Sequence, residues 1–222
     1  MTLNERVEAV RSTIARESEQ WGRTPKIIAV TKYSTPEEIN PLLNCGIADI
    51  GENRVQAIRE KLPFISEKFS IHLIGRLQSN KVKYIIKDVC LIHSVDSLSL
   101  AQEIDRQAQK NGLKMPVLLQ VNIAKEMQKG GVMEEDLMPF LRACAQLPGL
   151  QVKGLMAIMP LGAERDALFT LFTRMRALFD QCAQEAVNGV SMEELSMGMS
   201  QDYDLATRAG ATMIRVGSAL FR

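Results

Sequence analysis

Residues 26–39 read KIIAVTKYSTPEEI, a stretch that changes from a strand pattern to a helix start. The continuous apolar run at its beginning is typical of a β-strand that is buried on both faces. Thr35 then has the residue type and position of a helix N-cap, and Pro36 suits the first turn of the helix that follows. A buried strand followed at once by a helix is the repeating unit of parallel α/β folds.

The same change from strand to helix recurs along the rest of the chain. Further strands are predicted at residues 47–50, 71–74, 89–94, 116–122, 150–158, 194–197 and 212–216. Helices are predicted from about residue 53 and from about residue 79, at 97–111, 134–147, 165–187 and 203–209, and from residue 218 onward. The first twenty residues also have helical spacing of apolar side chains, which predicts one more helix before the first strand.

Eight strands that alternate with helices predict a single (β/α)8 barrel of the TIM type with an additional N-terminal helix. An open, doubly wound sheet is the competing architecture, because periodicity alone does not distinguish the two. No linker, low-complexity segment or shift in composition divides the chain. We therefore expect one domain that spans residues 1–222.

The composition argues against several classes of partner. The formal net charge is +1 and aromatic residues make up 5% of the chain, so neither a basic surface nor base stacking favours nucleic-acid binding. No apolar run approaches the length of a membrane span. The four cysteines are far apart, which favours reduced thiols in the core of a cytoplasmic protein. We expect a monomer, because no long apolar stripe is left over.

Lys32 is the first candidate functional residue, because active groups of such barrels gather at the C-terminal ends of the strands. At the end of the first strand its stem is expected to lie inside the barrel mouth. A buried ammonium is costly unless it is paired or loses its proton, and a neutral amine is what Schiff-base chemistry requires. The alternative is a lysine that reaches the rim or pairs with a carboxylate.

The C-terminal stretch TMIRVGSALFR, residues 212–222, is a candidate phosphate site. A strand ends there, Gly217 lets the backbone come close to a ligand, and Ser218 opens a helical turn whose amides can bind phosphate. The preceding stretch LSMGMS adds Ser196 and Ser200 as hydroxyl donors. The alternative is a pair of ordinary turns with capping serines.

Arg215 is expected to face the barrel interior, on the same side as Gly217, because side chains alternate along a strand. A buried arginine needs a partner, which can be a phosphate, a carboxylate or a ring nitrogen. A structural ion pair with Glu52 is an equal alternative. His72 and His93 are the only histidines, so we expect hydrogen-bonded packing residues and no metal site.

Seven motifs occur in order along the chain, and together they resemble one known family. They are AVTK (29–32), GENRVQ (51–56), HLIGRLQSNK (72–81), HSVDS (93–97), GLMAIMP (154–160), LSMGMSQDYDLA (195–206) and GATMIRVGSALF (210–221). The ordered set resembles the pyridoxal phosphate homeostasis proteins, which are single-barrel relatives of the N-terminal domain of alanine racemase. The resemblance covers residues 26–221 and is specific as a set, although no single motif is decisive.

The resemblance implies a function and a set of binding residues. It implies that pyridoxal 5'-phosphate (PLP) is held as a Schiff base on Lys32, with Arg215 facing the pyridine nitrogen. It implies phosphate contacts from Ser196, Gly217 and Ser218. It also implies a non-catalytic role in intracellular vitamin B6 homeostasis, with PLP-dependent apo-enzymes as recipients.

Asn53 and Met197 are plausible neighbours of the PLP ring under the same resemblance. The chain departs from the family pattern at Tyr33 and Ser34, in the loop after strand five, and in lacking a polar tail. These departures concern the rim of the site, and none of them changes Lys32 or Arg215.

Other functions remain open from the sequence. A PLP-dependent amino-acid racemase needs an acid/base group on each face of the substrate, and none of the tyrosines, Tyr33, Tyr84 and Tyr203, has an obvious claim to the second position. A cofactor-free Schiff-base aldolase would be colourless. A regulatory protein that binds another protein, with PLP as a structural or signalling ligand, is compatible with the non-catalytic PLP-binding function.

Overall fold

The computed structural model describes residues 1–126 and 128–222, and its parallel strands form a closed barrel. The strands are β1 (Lys26–Val30), β2 (Asp49–Glu52), β3 (Ser70–Leu73), β4 (Leu91–Val95), β5 (Met115–Val121), β6 (Leu150–Ala157), β7 (Val190–Met199) and β8 (Met213–Val216). Because β1 pairs with β8 as well as with β2, the sheet has no open edge. The barrel prediction is confirmed, and the open doubly wound sheet is excluded.

Helices surround the barrel and follow most of its strands. They are α1 (Leu3–Glu17), α2 (Pro36–Ile39), α3 (Val55–Lys61), α4 (Leu98–Lys110), α5 (Leu137–Ala145), α6 (Arg165–Gln184), α7 (Tyr203–Arg208) and α8 (Ser218–Phe221). The predicted N-terminal helix is α1. The helix start predicted at Thr35 and Pro36 is also present, and Glu38 accepts a hydrogen bond from the Thr35 amide at 2.9 Å.

Two apolar layers result from the alternation of side chains along the strands. The barrel interior holds a small cluster made of Ile28, Leu91, Leu118, Met156 and Met213. Neighbours of these residues, such as Ile27 and Ala29 on β1, point outward into the larger core between barrel and helices. The interior cluster fills only part of the barrel, and polar side chains occupy the rest of it.

Several predicted boundaries differ from the structure. β1 ends at Val30, two residues before Lys32, and the segment Ser79–Tyr84 after β3 is a 3-10 helix. β7 begins at Val190 rather than at residue 194, because its first half is only partly buried and therefore lacks an apolar run. Cys90 is exposed, contrary to the expectation that all four cysteines lie in the core.

A glycine in β6 lets the sheet keep its pairing across an irregularity. Gly154 has φ of 150°, and the register of β6 shifts beside it on both neighbouring strands. A Cβ at this position would lie 1.8 Å from the carbonyl oxygen of Glu194. Any other residue would therefore push β6 and β7 apart.

Within the part of the chain that the structure describes, no helix combines the length and the apolar character required to cross a membrane.

Candidate cofactor site

An open cavity of about 430 Å³ lies at the C-terminal ends of β1, β6, β7 and β8. Its volume is in the range of small-molecule sites. Apolar side chains such as Met159 and Met199 form part of its wall, and Lys32, Arg215 and Gly217 border it. The cavity is therefore at the barrel end where functional groups are expected.

Lys32 borders this cavity from an exposed position. Because β1 ends at Val30, Lys32 lies in the turn that follows the strand, and its side chain is exposed rather than buried in the barrel mouth. Its Nζ lies 5.0 Å from the centroid of the Tyr33 ring, which is itself 76% exposed. The prediction that the stem of Lys32 is buried was wrong, but Lys32 does lie at the barrel mouth, beside the cavity.

The backbone just before Lys32 is fixed by buried polar contacts. The Thr31 hydroxyl donates to Oε1 of Glu52 at 2.7 Å, and Nζ of Lys61 donates to the Thr31 carbonyl at 2.6 Å. Lys61 also forms an ion pair with Glu52 at 2.7 Å. Three elements, β1, β2 and α3, thus hold the residue that precedes Lys32.

Arg215 faces the barrel interior and is only 3% exposed. Its Nη1 donates to Oγ of Ser196 at 2.6 Å, and its Nη2 donates to the carbonyl of Ala157 at 2.8 Å. Burial lowers the pKa of Arg215 to about 10, and the charge of Asp202 opposes that shift. The proposed ion pair with Glu52 is absent among the described contacts, since Glu52 binds Lys61 and Thr31.

The turn after β8 borders the cavity, and two of its amides converge on the hydroxyl of Ser200. Oγ of Ser200 accepts hydrogen bonds from the amides of Gly217 and Ala219, at 3.0 and 3.3 Å. Ser218 is exposed beside them. A Cβ on Gly217 would lie 3.3 Å from the Cβ and the carbonyl oxygen of Val30, so the β8 turn packs closely against β1. Converging amides and hydroxyls of this kind suit an anion.

The structure brings together four of the seven predicted binding residues: Lys32, Arg215, Gly217 and Ser218 all border the cavity. Ser196 does not border the cavity; it is fully buried below Arg215, from which it accepts a hydrogen bond. Met197 points into the outer core, away from the cavity. Asn53 borders a smaller cavity, of about 240 Å³, over the other half of the barrel mouth.

Ser200 is the hydroxyl that the structure places at the cavity on β7, although the family resemblance pointed to Ser196. Ser200 follows the end of β7, whereas Ser196 lies within the strand. The signal available in the sequence was position, because residues just beyond the C-terminal end of a barrel strand reach the mouth. The LSMGMS stretch indicates both serines as hydroxyl donors, and the structure places Ser200, and not Ser196, at the border of the cavity.

The comparisons with known proteins agree with this fold and cavity. The model of the alanine racemase N-terminal domain matches residues 6–222. The pyridoxal phosphate homeostasis protein of Aquifex aeolicus is 39% identical over 225 residues, covering 100% of this chain and 98% of the relative. The chain belongs to the pyridoxal phosphate homeostasis protein family.

Other members of the pyridoxal phosphate homeostasis protein family match over a similar length. The protein of Helicobacter pylori strain J99 is 36% identical, covering 100% of this chain and 96% of the relative. PipY of Synechococcus elongatus has been solved without PLP and with PLP bound, with TM-scores of 0.91 and 0.87. Both PipY chains are 35% identical to this one, with 100% of each chain covered.

The protein is expected to become less stable as the pH is lowered below about 6.5, because of His93. Burial in the barrel interior disfavours the charged imidazole and lowers the pKa of His93 well below its usual value. The unfolded chain therefore takes up a proton that the folded chain does not. Each pH unit of acidification then lowers the free energy of unfolding by up to about 1.4 kcal/mol.

Urea unfolding at a series of pH values between about 5 and 8 measures this slope. The variant His93→Gln has no imidazole at this position and is expected to have a shallower slope below about pH 6.5. Identical slopes in the two proteins would contradict the prediction.

Proposed function

We propose that this chain is a non-catalytic PLP-binding protein that acts in cytoplasmic vitamin B6 homeostasis and holds PLP as a Schiff base on Lys32. The observation that carries the proposal is a single cavity bordered by a primary amine, a buried guanidinium and the turn in which two amides converge on the Ser200 hydroxyl. An aldehyde, a pyridine nitrogen and a phosphate each have a matching group there. The structure of PipY with PLP bound supports the same ligand.

Lys32 suits reversible attachment because of its exposure. When bound, PLP supplies an aldehyde that condenses reversibly with primary amines. Lys32 is exposed at the edge of the cavity, where both a ligand and a competing amine have access to it. Access for a competing amine favours release to another protein, so PLP-dependent apo-enzymes are the proposed recipients.

Arg215 supports the non-catalytic part of the proposal. With a pKa of about 10 it stays protonated near neutral pH. It can donate hydrogen bonds to a ring nitrogen, but it is a poor source of a proton for that nitrogen. An unprotonated ring withdraws electrons less strongly, and electron withdrawal is what PLP enzymes use to stabilise carbanions.

An amino-acid racemase is the alternative, and it would need a second acid/base group held over the opposite face of the substrate. Tyr33 borders the cavity, but it follows Lys32 directly and is 76% exposed. Tyr84 is 42% exposed and lies beyond β3, outside the residues that border the cavity. Neither position favours a second base.

The test begins with the absorbance spectrum of the purified protein after addition of PLP, followed by borohydride reduction and peptide mapping. We expect a yellow protein with the pyridoxyl mass on the peptide that contains Lys32, no racemization of amino acids, and reactivation of a PLP-dependent apo-enzyme. A protein that remains colourless and unlabelled would refute PLP binding. Racemization that disappears in Lys32→Ala would instead establish the alternative.

Replacing Ser200 with alanine is expected to weaken PLP binding by about tenfold or more, the effect of losing one hydrogen bond to a charged group. Its hydroxyl organises two amides at the proposed phosphate position. Absorbance titration with PLP measures the affinity. The control Ser12→Ala removes an exposed hydroxyl from α1 and is expected to bind like the parent protein. Equal affinities of all three proteins would place the phosphate elsewhere.

A further inference from the structure

A continuous chain of hydrogen bonds crosses the barrel interior below the cavity. Asp49 Oδ1 lies 3.0 Å from His72 Nε2, and His72 Nδ1 lies 2.9 Å from His93 Nε2. His93 Nδ1 lies 3.0 Å from Ser196 Oγ, which accepts from Arg215 at 2.6 Å. The five residues come from five different strands and connect the N-terminal end of the barrel with the cavity.

The chemistry of the two ends limits the directions of the hydrogen bonds between them. Arginine can only donate, so the Ser196 hydroxyl accepts from Arg215 and its own hydrogen is free for His93 Nδ1. At the other end burial alone would raise the pKa of Asp49, but the hydrogen bond from His72 and the charge of Lys26 lower it below its usual value. Asp49 is then a carboxylate that can only accept.

Every group of this hydrogen-bond chain finds a partner when both imidazoles are neutral and carry their hydrogen on Nε2. His72 donates to Asp49 through Nε2 and accepts from His93 through Nδ1. His93 in turn accepts from Ser196 through Nδ1. A second proton on either ring would set two donors against each other or leave Ser196 without an acceptor. Burial of His93, which disfavours its charged form, is consistent with this arrangement.

We propose that His72 and His93 are positioning residues that, through Ser196, hold the Arg215 guanidinium in one orientation under the ligand of the cavity. The aligned hydrogen bonds carry the influence of the Asp49 charge to a guanidinium that has no carboxylate within ion-pair distance among the described residues. Two of the five N–H donors of Arg215 are engaged by Ser196 and Ala157. The remaining donors are left for a ligand.

The proposal rests on the proposed function only in taking that ligand to be the PLP ring, and its first test needs no PLP. The chain contains only two histidines, so ¹⁵N NMR of protein labelled in histidine reports both rings directly. We expect a protonated Nε2 and an unprotonated Nδ1 in His72 and in His93. A hydrogen on Nδ1 of either ring in the parent protein would overturn the proposal.

The second measurement follows the Arg215 guanidinium hydrogens. Asp49→Asn keeps an acceptor for His72 but removes the charge, at a side chain that is 23% exposed. We expect exchange of the Arg215 hydrogens with water to become faster by about tenfold, which corresponds to a weakened charge-assisted hydrogen bond. The control Asp88→Asn lies before β4, outside the chain of hydrogen bonds, and is expected to leave exchange unchanged.

Ser196→Ala removes the link between the histidines and Arg215. In this variant we expect mixed tautomers of His93 and, after addition of PLP, an absorbance maximum displaced from that of the parent protein. If Asp49→Asn and Ser196→Ala both leave the tautomers, the exchange rates and the PLP spectrum unchanged, the positioning role is refuted. If the parent protein binds no PLP, the proposed function fails, while the tautomers and exchange rates still decide this proposal.

Discussion

Replacing Lys32 with arginine is expected to abolish the covalent attachment of PLP completely. Arginine keeps the charge and the long stem, but a guanidinium does not lose its proton under these conditions and cannot form the Schiff base. The yellow absorbance band and the borohydride-dependent label should both disappear. Because Lys32 is exposed, the free energy of unfolding should change by no more than about 0.5 kcal/mol.

The matched control is Lys114→Arg, an exposed lysine just before β5 at the opposite end of the barrel. It makes the same chemical change away from the cavity, so we expect it to retain the band and the label. Residual label in Lys32→Arg that maps to another lysine would show that PLP is anchored elsewhere. Loss of the label in both variants would show that the loss in Lys32→Arg does not report the Lys32 amine specifically.

The barrel could be predicted from the sequence because its signal is local and repeated. An apolar strand followed by a helix start, as in β1 and Thr35, is the pattern of the repeating unit, and no long-range contact is needed to recognise it. β7 was less predictable, since Val190–Glu194 is only partly buried and polar residues interrupt its pattern. The place of Ser79–Tyr84 in the repeat predicts an α-helix, whereas the segment forms a 3-10 helix.

The site was predictable where strand alternation determines it and unpredictable where contacts between strands do. Arg215 and Gly217 share the inner face of β8 and its turn, and alternation gives that directly. Met197 follows the buried Ser196, so the same rule places it on the outer face. The family resemblance instead implies a contact with the PLP ring, which this position does not allow. Asn53 reaches a different cavity because β2 lies on the other half of the barrel mouth.

The interior chain of hydrogen bonds had no sequence signal at all. His72 and His93 are 21 residues apart, and His93 and Ser196 are 103 residues apart. Their meeting depends on the registers of β3, β4 and β7 across the closed barrel. Sequence reasoning treated both histidines as hydrogen-bonded packing residues, which is correct for each residue but does not reveal the path that they form.

Replacing Lys61 with methionine is expected to lower the free energy of unfolding by about 3–5 kcal/mol, the usual effect of breaking a buried ion pair from one side. The Glu52 side chain is 2% exposed, and that of Lys61 is 16% exposed. Without Lys61 the Glu52 carboxylate would stay buried with only the Thr31 hydroxyl as a donor, and Oε2 of Glu52 already has no hydrogen-bond partner in the described structure. Urea unfolding at neutral pH measures the change.

The double variant Glu52→Gln with Lys61→Met separates two effects: the loss of the Glu52–Lys61 ion pair and the burial of an unpaired Glu52 carboxylate. Glutamine keeps an acceptor for the Thr31 hydroxyl, so we expect the double variant to be more stable than Lys61→Met alone. The Thr31 carbonyl would still lack its contact with Lys61, so the turn that carries Lys32 should loosen and PLP should bind more weakly even where stability returns. A loss of less than about 1 kcal/mol in Lys61→Met would mean that water solvates Glu52 and that the pair does not hold this end of β1.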